Sequence, residues 1–232
     1  FSPPRPAQGE FWFTLLDVGQ GLSVVVQTRE HTLVFDTGPK FSDNFNTGTA
    51  IVKPFLQHQG IKKIDSLIIS HADNDHIGGA RPLIQHLPVN NILSSAPEKL
   101  LNAVPCIAGH SWKWDEIEFT VLYPDKNDVG SKNNLSCVLK ISNAAGSILL
   151  TGDIEQAAEQ LLIQRYGKTL QSTIMVVPHH GSRTSSSANF INLVKPEVAL
   201  FPVGYHNRYH FPADSITKRY QNRYIRQFNT AT

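Results

Sequence analysis

One run of ten residues, Ser70-His71-Ala72-Asp73-Asn74-Asp75-His76-Ile77-Gly78-Gly79, places two imidazoles and two carboxylates within six residues. Imidazole nitrogen and carboxylate oxygen together are the ligands of Zn²⁺, Mn²⁺ or Fe²⁺. Three further places carry the same residue types: Asp36, Thr151-Gly152-Asp153, and Pro178-His179-His180-Gly181-Ser182. Each of the four follows directly on an apolar run, so each sits where a strand would end. Their convergence on one edge of a fold would hold two divalent ions, with a bridging carboxylate and a bridging hydroxide. Such a pair lowers the pKa of bound water and clamps both oxygens of an in-line displacement at phosphorus. Ser182, Arg183, Thr184, Ser185 and Ser186 follow the histidines. Hydroxyls and a guanidinium there could donate to the non-bridging oxygens of a phosphodiester. Asn207, Arg208, Tyr209 and His210 come after the next apolar run and would add to the rim. His110, beside Trp112 and Trp114, reads as a packed strand residue rather than a ligand.

The elements that must position these groups are legible as apolar runs. Phe11 to Leu16, Leu22 to Gln27 and Thr32 to Phe35 read as a β-meander, with the Gly19–Gly21 turn after the first strand. A helix is expected over 48–60, with Pro54 near its first turn, where proline is tolerated, and Gly60 as its stop. Ile64 to Ile69 is the strand that feeds the central loop, and Gly79 to Leu87 a helix after it. Ile92-Leu93, Ile117 to Leu122, Ser136 to Ile141 and Ser147 to Leu150 alternate as strands. Glu155 to Tyr166 reads as an amphipathic helix capped by Gly167. Ile174 to Val177 is a strand ending at the paired histidines. A helix from about Ser187, the strand Val198 to Phe201, a helix from about Asp214 and a strand at 225–229 complete the chain. Hairpins and strand–helix alternation occur together, which points to two sheets covered by helices, an αββα sandwich, rather than one doubly wound sheet.

Composition is that of an ordinary globular protein: 232 residues, 41% hydrophobic and 17% charged, with a net charge of only +2. The charge is unevenly spread. Residues 1–160 carry 12 Lys and Arg against 17 Asp and Glu, whereas residues 161–232 carry 9 against 2. The basic segment could face a polyanion. No apolar run has membrane-spanning length. The opening Phe1-Ser2-Pro3-Pro4-Arg5-Pro6 reads as an extended linker, covering residues 1–10 before a domain at 11–232. Cys106 and Cys137 form no metal motif; they are expected as buried thiols, with pairing the alternative in an oxidising compartment.

The motifs resemble those of the metallo-β-lactamase fold, whose His-x-His-x-Asp-His signature appears with Asp73 at the second histidine. With Leu16-Asp17-Val18-Gly19-Gln20-Gly21, Thr151-Gly152-Asp153 and Pro178-His179-His180-Gly181-Ser182, the chain is similar to the C-terminal hydrolase domain of ComEC-type competence proteins. Gly21-Leu22 departs from the Gly-Asp usual there.

The resemblance implies that His71 and Asp73 hold one metal, and Asp75, His76 and one of the paired histidines the other, with Asp153 bridging. Alternation does not separate His179 from His180; His179 is expected as the ligand and His180 as a contact to substrate or leaving group. Asp36 would support a ligand histidine. Many members supply a histidine where this chain has Asn133-Asn134-Leu135-Ser136, so Asn134 and Ser136 are expected to contact phosphate or water, with Arg183 beside them. Asp75, Asp153, His180 and Ser182 are the expected catalytic set. The looser first site would favour Mn²⁺ over Zn²⁺. The implied activity is hydrolysis of DNA, chiefly single strands, in natural transformation. The implied setting is a monomeric domain on the periplasmic side of an inner-membrane channel, working with competence DNA-binding proteins. Two other classes remain: a hydrolase of small molecules such as a phosphocholine esterase or lactonase, and a non-catalytic DNA-binding domain.

Overall fold

A computed structural model describes residues 3–231; Phe1 and Ser2 of the expected linker, and Thr232, lie outside the described residues. The first half of the chain builds one sheet. Strands β1 (Trp12–Leu15), β2 (Val24–Gln27) and β3 (Thr32–Phe35) are the expected antiparallel meander. A small hairpin, β4 (Lys40–Ser42) with β5 (Phe45–Asn46), forms its own ribbon. The expected helix over 48–60 divides into a π-type turn (Gly48–Val52) and α1 (Lys53–His58), with proline in its first turn. Strand β6 (Ile64–Ile69) then returns parallel to β3. The short α2 (Asn74–Ile77) and α3 (Ala80–His86) lead to β7 (Val89–Ser94) and β8 (Val104–Pro105). The sheet order is β1-β2-β3-β6-β7-β8.

The second half builds the second sheet. Strands β9 (Ser111–Trp114), β10 (Ile117–Tyr123), β11 (Val138–Asn143) and β12 (Gly146–Leu150) run antiparallel. From β12 onward the pairing is parallel, through β13 (Ile174–Val176), β14 (Val198–Phe201) and β15 (Arg226–Asn229). Helices α4 (Gln156–Tyr166), α5 (Ala188–Val194) and α6 (Asp214–Gln221) are the crossovers that parallel pairing demands.

Alternation along the strands assigns the layers. Val24, Val26, Leu33, Phe35 and Ile68 pack between the sheets against Ile117, Phe119, Leu139, Ile148, Leu150 and Val176. Their chain neighbours Val25, Val34, Leu67 and Ile69 turn the other way, onto Val52, Leu56, Ala80 and Leu83. In the second sheet, Leu149, Met175 and Val177 turn outward onto Ala158, Leu162, Phe190 and Ile216. Period-two alternation with both faces buried yields three apolar layers between four layers of structure. The fold is the expected αββα sandwich.

Two details differ from expectation. Cys106 and Cys137 are joined in a disulfide, their Cα atoms 6.1 Å apart, where free thiols were expected. The cause is tertiary: both lie in the core between the sheets, where the chain after β8 meets the start of β11. Such proximity across 31 residues is invisible to sequence spacing. The segment before β1 is tied to the domain. Pro6 is buried, Gly9 donates its N–H to the Asp115 carbonyl at 3.0 Å, and Asn143 donates to the Gly9 carbonyl at 2.9 Å.

Candidate metal centre

Parallel strands bring their C-terminal ends to one edge, and the loops leaving β3, β6, β12 and β13 meet there. Asp36 follows β3 in a left-handed conformation, φ 57°, which turns its carboxylate back over the edge. Asp36 is fully buried. One oxygen accepts the Ser70 N–H at 2.7 Å; the other accepts the Ser70 hydroxyl at 2.6 Å and faces His76 Nδ1 at 2.7 Å. With Nδ1 donating to Asp36, His76 presents the lone pair of Nε2 to the edge. His180 is fixed in the same sense, because Nδ1 donates to the Pro202 carbonyl at 2.6 Å.

The two Nε2 atoms lie only 3.2 Å apart. Asp153 brings Oδ1 to 3.1 Å from His76 Nε2 and Oδ2 to 3.4 Å from His180 Nε2; Asp75 Oδ2 is 3.3 Å from His180 Nε2. One ligand atom from each of Asp75, His76, Asp153 and His180 lies within 4.8 Å of every other. His71 is fully buried beside them. Its Nδ1 is 3.1 Å from the Ser70 hydroxyl, and its Nε2 finds no hydrogen-bond partner among the described residues. That Nε2 faces Asp73 Oδ2 at 3.6 Å and Asp153 Oδ2 at 3.9 Å. Lone pairs and carboxylates aimed at one another repel unless a cation lies between them, and an unpaired buried nitrogen is costly. The donor set therefore fits a divalent ion of the Zn²⁺, Mn²⁺ or Fe²⁺ kind.

The electrostatics agree. Burial alone would raise the Asp75 carboxyl, but the imidazoles of His76 and His180 outweigh it and hold it down at about 2. Burial acts the same way on Asp153, and the same rings hold it well below the usual range. Burial disfavours charge on His180, yet Asp153 and Asp75 push it up to about 9. His76 is likewise held well above its ordinary value, against burial, by Asp153, Asp36 and Asp75. The field at this edge favours positive charge.

Two glycines allow the close approaches. Gly21 has φ 152°, and a Cβ there would lie 2.5 Å from the Asp75 carbonyl. That carbonyl accepts the Leu22 N–H at 3.1 Å, while the Leu22 side chain turns into the core between the sheets. Gly152 has φ 52°, and its missing Cβ makes room for Ser136 and Ser70 at 2.8 and 2.9 Å.

The remaining expected residues separate into those at the centre and those committed elsewhere. His179 and His180 both adopt left-handed φ, 48° and 54°, which breaks strand alternation and sends the rings to different places. His180 joins the four-residue group and His179 does not, the reverse of the order expected for them. His179 sits at the rim, with Nδ1 3.1 Å from Thr184 Oγ1, and Nε2 3.4 Å from Asn133 Nδ2 and 3.9 Å from Asp153 Oδ2. Burial pushes its imidazole below the ordinary value. Asp73 is half-exposed and pairs with Lys132 at 3.4 Å. Ser136 accepts the Asp153 N–H at 3.1 Å, so it fixes Asp153 instead of facing a phosphate.

Asn134 was expected at the substrate. Its carbonyl accepts the N–H of Glu155 and Ala158 at 3.1 and 3.3 Å, and its amide donates to Glu155 at 3.0 Å. It caps α4. Ser182 is buried, 3.0 Å from Thr184 Oγ1, and Arg183 is exposed. Ser70, which organises Asp36 and the Nδ1 atoms of His71 and His76, carried no role in the sequence reading, and Thr184, expected to face a phosphate, meets the His179 ring. Ser70 carried a signal, since it stands at the strand end immediately before His71.

The family model described as the metallo-beta-lactamase superfamily matches residues 16–206. Competence protein ComA of Neisseria gonorrhoeae is 36% identical over 230 residues, covering 99% of this chain and 32% of that protein. ComE operon protein 3 of Bacillus subtilis is 32% identical over 255 residues, covering 98% of this chain and 32% of that one. The chain thus spans about a third of the length of these curated relatives. Among solved structures, Igni18, a metallo hydrolase from Ignicoccus hospitalis, aligns with a TM-score of 0.59 at 16% identity, over 96% of each chain.

Proposed function

The chain belongs to the metallo-β-lactamase superfamily, and from that premise we propose that this metallo-hydrolase cleaves phosphodiester bonds, with DNA as its substrate. The observation that carries the reading is the convergence of Asp75, His76, Asp153 and His180 within 4.8 Å, with the orphaned His71 Nε2 beside them. Asp75, His76 and His180 would hold one divalent ion, His71 and Asp73 the other, and Asp153 both; Mn²⁺ and Zn²⁺ both suit these donors. When bound, the ions supply Lewis acidity that makes water a nucleophile at neutral pH and neutralises charge gathering on a phosphate. Asp36 and the Pro202 carbonyl hold the His76 and His180 rings with Nε2 inward, so the donors are in place before substrate arrives. His179, whose imidazole burial pushes below its ordinary value, is a hydrogen-bond partner for the phosphate or the leaving oxygen. Thr184 orients its ring.

The substrate class rests on the relatives' names, which are those of competence proteins, and on cationic residues around the edge. Lys132 reaches Asp73, and Arg208 lines the cavity that contains Asp75. In this reading the domain removes the strand that is not taken up during transformation. It acts, as a monomer, on the extracytoplasmic side of an inner-membrane channel belonging to the same full-length protein, and beside competence DNA-binding proteins. No helix of the described residues is long and apolar enough to cross a membrane. The Cys106–Cys137 disulfide fits an oxidising compartment.

Cleavage of single- and double-stranded DNA in Mn²⁺ tests the reading, beside Asp75→Ala and an EDTA control. Cutting that needs metal and disappears in Asp75→Ala is expected. Bound metal without cutting of either substrate would remove DNA hydrolysis from this domain.

A further inference from the structure

A cavity of about 440 Å³ opens beside the metal centre, lined by Gln20, Pro39, Phe41, Asp75, Arg208 and Tyr209 among others. On one wall stands Tyr209, the outer ring of an aromatic column that begins at the centre and passes behind the cavity. The His180 ring stacks on Phe211 at 6.4 Å with 17° between planes; Phe211 stacks on Tyr209 at 5.5 Å and 18°. The Arg208 guanidinium lies 4.8 Å over the Tyr209 ring and donates to its hydroxyl at 2.6 Å. A column of near-parallel rings therefore runs from His180, in the candidate metal group, to the surface and ends in a cation.

The other wall is the β4–β5 hairpin, where Phe41 stacks on Phe45 at 5.4 Å and 23°. These two rings are 60% and 51% exposed, and Tyr209 is 49% exposed. Exposed rings at a hairpin are unfavourable to keep without a use. This hairpin is held in place: Asn74, in the metal loop, accepts the Lys40 N–H at 3.3 Å and donates to the Lys40 carbonyl at 2.9 Å. Its two charges, Lys40 and Asp43, neutralise each other at 2.8 Å, which leaves the rings as its offering. Gln20 ties the facing loop, accepting the Gly204 N–H at 3.3 Å.

We propose that this cavity is a stacking subsite for one unpaired nucleobase next to the scissile phosphate, with Phe41 and Tyr209 as its platforms and Arg208 as the contact to the adjoining phosphate. It rests on the nuclease reading and gives it a substrate form. Ring faces accept any base, and only a base that is out of a duplex can reach them. Arg208 adds a charged contact that tracks the backbone. The enzyme is then selective for single strands without reading sequence.

The test compares a fluorescein-labelled oligothymidylate with an abasic strand of equal length, titrated with the full chain and followed by anisotropy. Cutting of both strands and of a matched duplex in Mn²⁺ is followed in parallel. Wild type is expected to bind the base-bearing strand about tenfold more tightly than the abasic one. Phe41→Ala and Tyr209→Ala are expected to abolish that difference, while Phe41→Tyr retains it and metal content stays constant. Equal binding of the two strands by wild type overturns the proposal, as does a difference that survives both alanine variants. Base-dependent binding without cutting would sink the nuclease reading and keep the subsite. Cutting without base dependence would do the reverse.

Discussion

Two aspartate–histidine pairs lie in different regions of the sandwich and do different work. Asp36 and His76 meet at 2.7 Å, both fully buried. Asp115 and His31 meet at 3.0 Å, with the histidine one-third exposed and its ring stacked on Trp114 at 4.8 Å. In the second pair the carboxylate serves its surroundings. Asp115 Oδ2 also accepts the Thr28 hydroxyl at 2.6 Å and the Glu30 N–H at 3.0 Å, which closes the turn between β2 and β3 against the turn between β9 and β10. In the first pair the carboxylate aims a ring whose far nitrogen meets acceptors and another lone pair. The residue types are shared; what sets the first pair apart is that the second ring nitrogen of His76 lies 3.2 Å from His180 Nε2 and 3.1 Å from Asp153 Oδ1, inside the candidate metal group. A pair that leaves polar atoms in conflict is built around something else.

The contrast can be broken in order of expected size. Asp153→Asn removes the carboxylate shared by both imidazoles; activity should fall about 1000-fold or more, with metal lost by elemental analysis, since metal catalysis is worth several kcal/mol. Unchanged metal content would show that Asp153 is no ligand. Asp36→Asn leaves every ligand atom present and disturbs only the aim of His76. Metal affinity should drop about 10- to 100-fold in a chelator competition. Asp115→Asn should leave metal affinity and activity untouched and lower stability by about 2 kcal/mol, the size of a lost hydrogen bond to a charged group. If it weakens metal binding as Asp36→Asn does, the two pairs are not distinct.

The smallest effect is in pH. Burial opposes ionisation of Asp115, but Thr28, His31 and Glu30 hold its carboxyl at about 2, below the ordinary unfolded value of about 3.9. A depressed folded pKa stabilises the protein above the unfolded value, and that contribution fades as pH falls toward the folded one. The melting-temperature gap between wild type and Asp115→Asn should therefore narrow between about pH 5 and about pH 2. A constant gap would mean that the carboxylate's charge is irrelevant there.

What the sequence disclosed follows from which signals are local. Thr32–Phe35, Ile64–Ile69 and Val198–Phe201 occupy the residues expected of them, because a run of apolar β-formers needs no partner to be recognised. Aspartate and histidine at their ends marked the edge for the same reason. The order of His179 and His180 was hidden by two successive left-handed residues, which void the alternation rule. Asn134 was misplaced because a side chain that caps α4 and one that faces a phosphate look alike in one dimension. The Phe41–Phe45 hairpin did carry a sign, two aromatics about Ser42-Asp43-Asn44, a polar turn. The disulfide and Asp115's partners required knowing which strands lie opposite.

The origin of the ligands has a consequence for the lifetime of the domain. Asp75 and His76 come from the half of the chain that builds the first sheet, and Asp153 and His180 from the half that builds the second. Neither half can close the coordination alone, so an ion held there is a rivet through the seam. By mass action, a ligand at 100 times its Kd that binds only the assembled form adds about 2.7 kcal/mol to the fold. Scarcity of metal would then do more than idle the enzyme: it would loosen the seam and expose the chain to proteases, so abundance would follow supply.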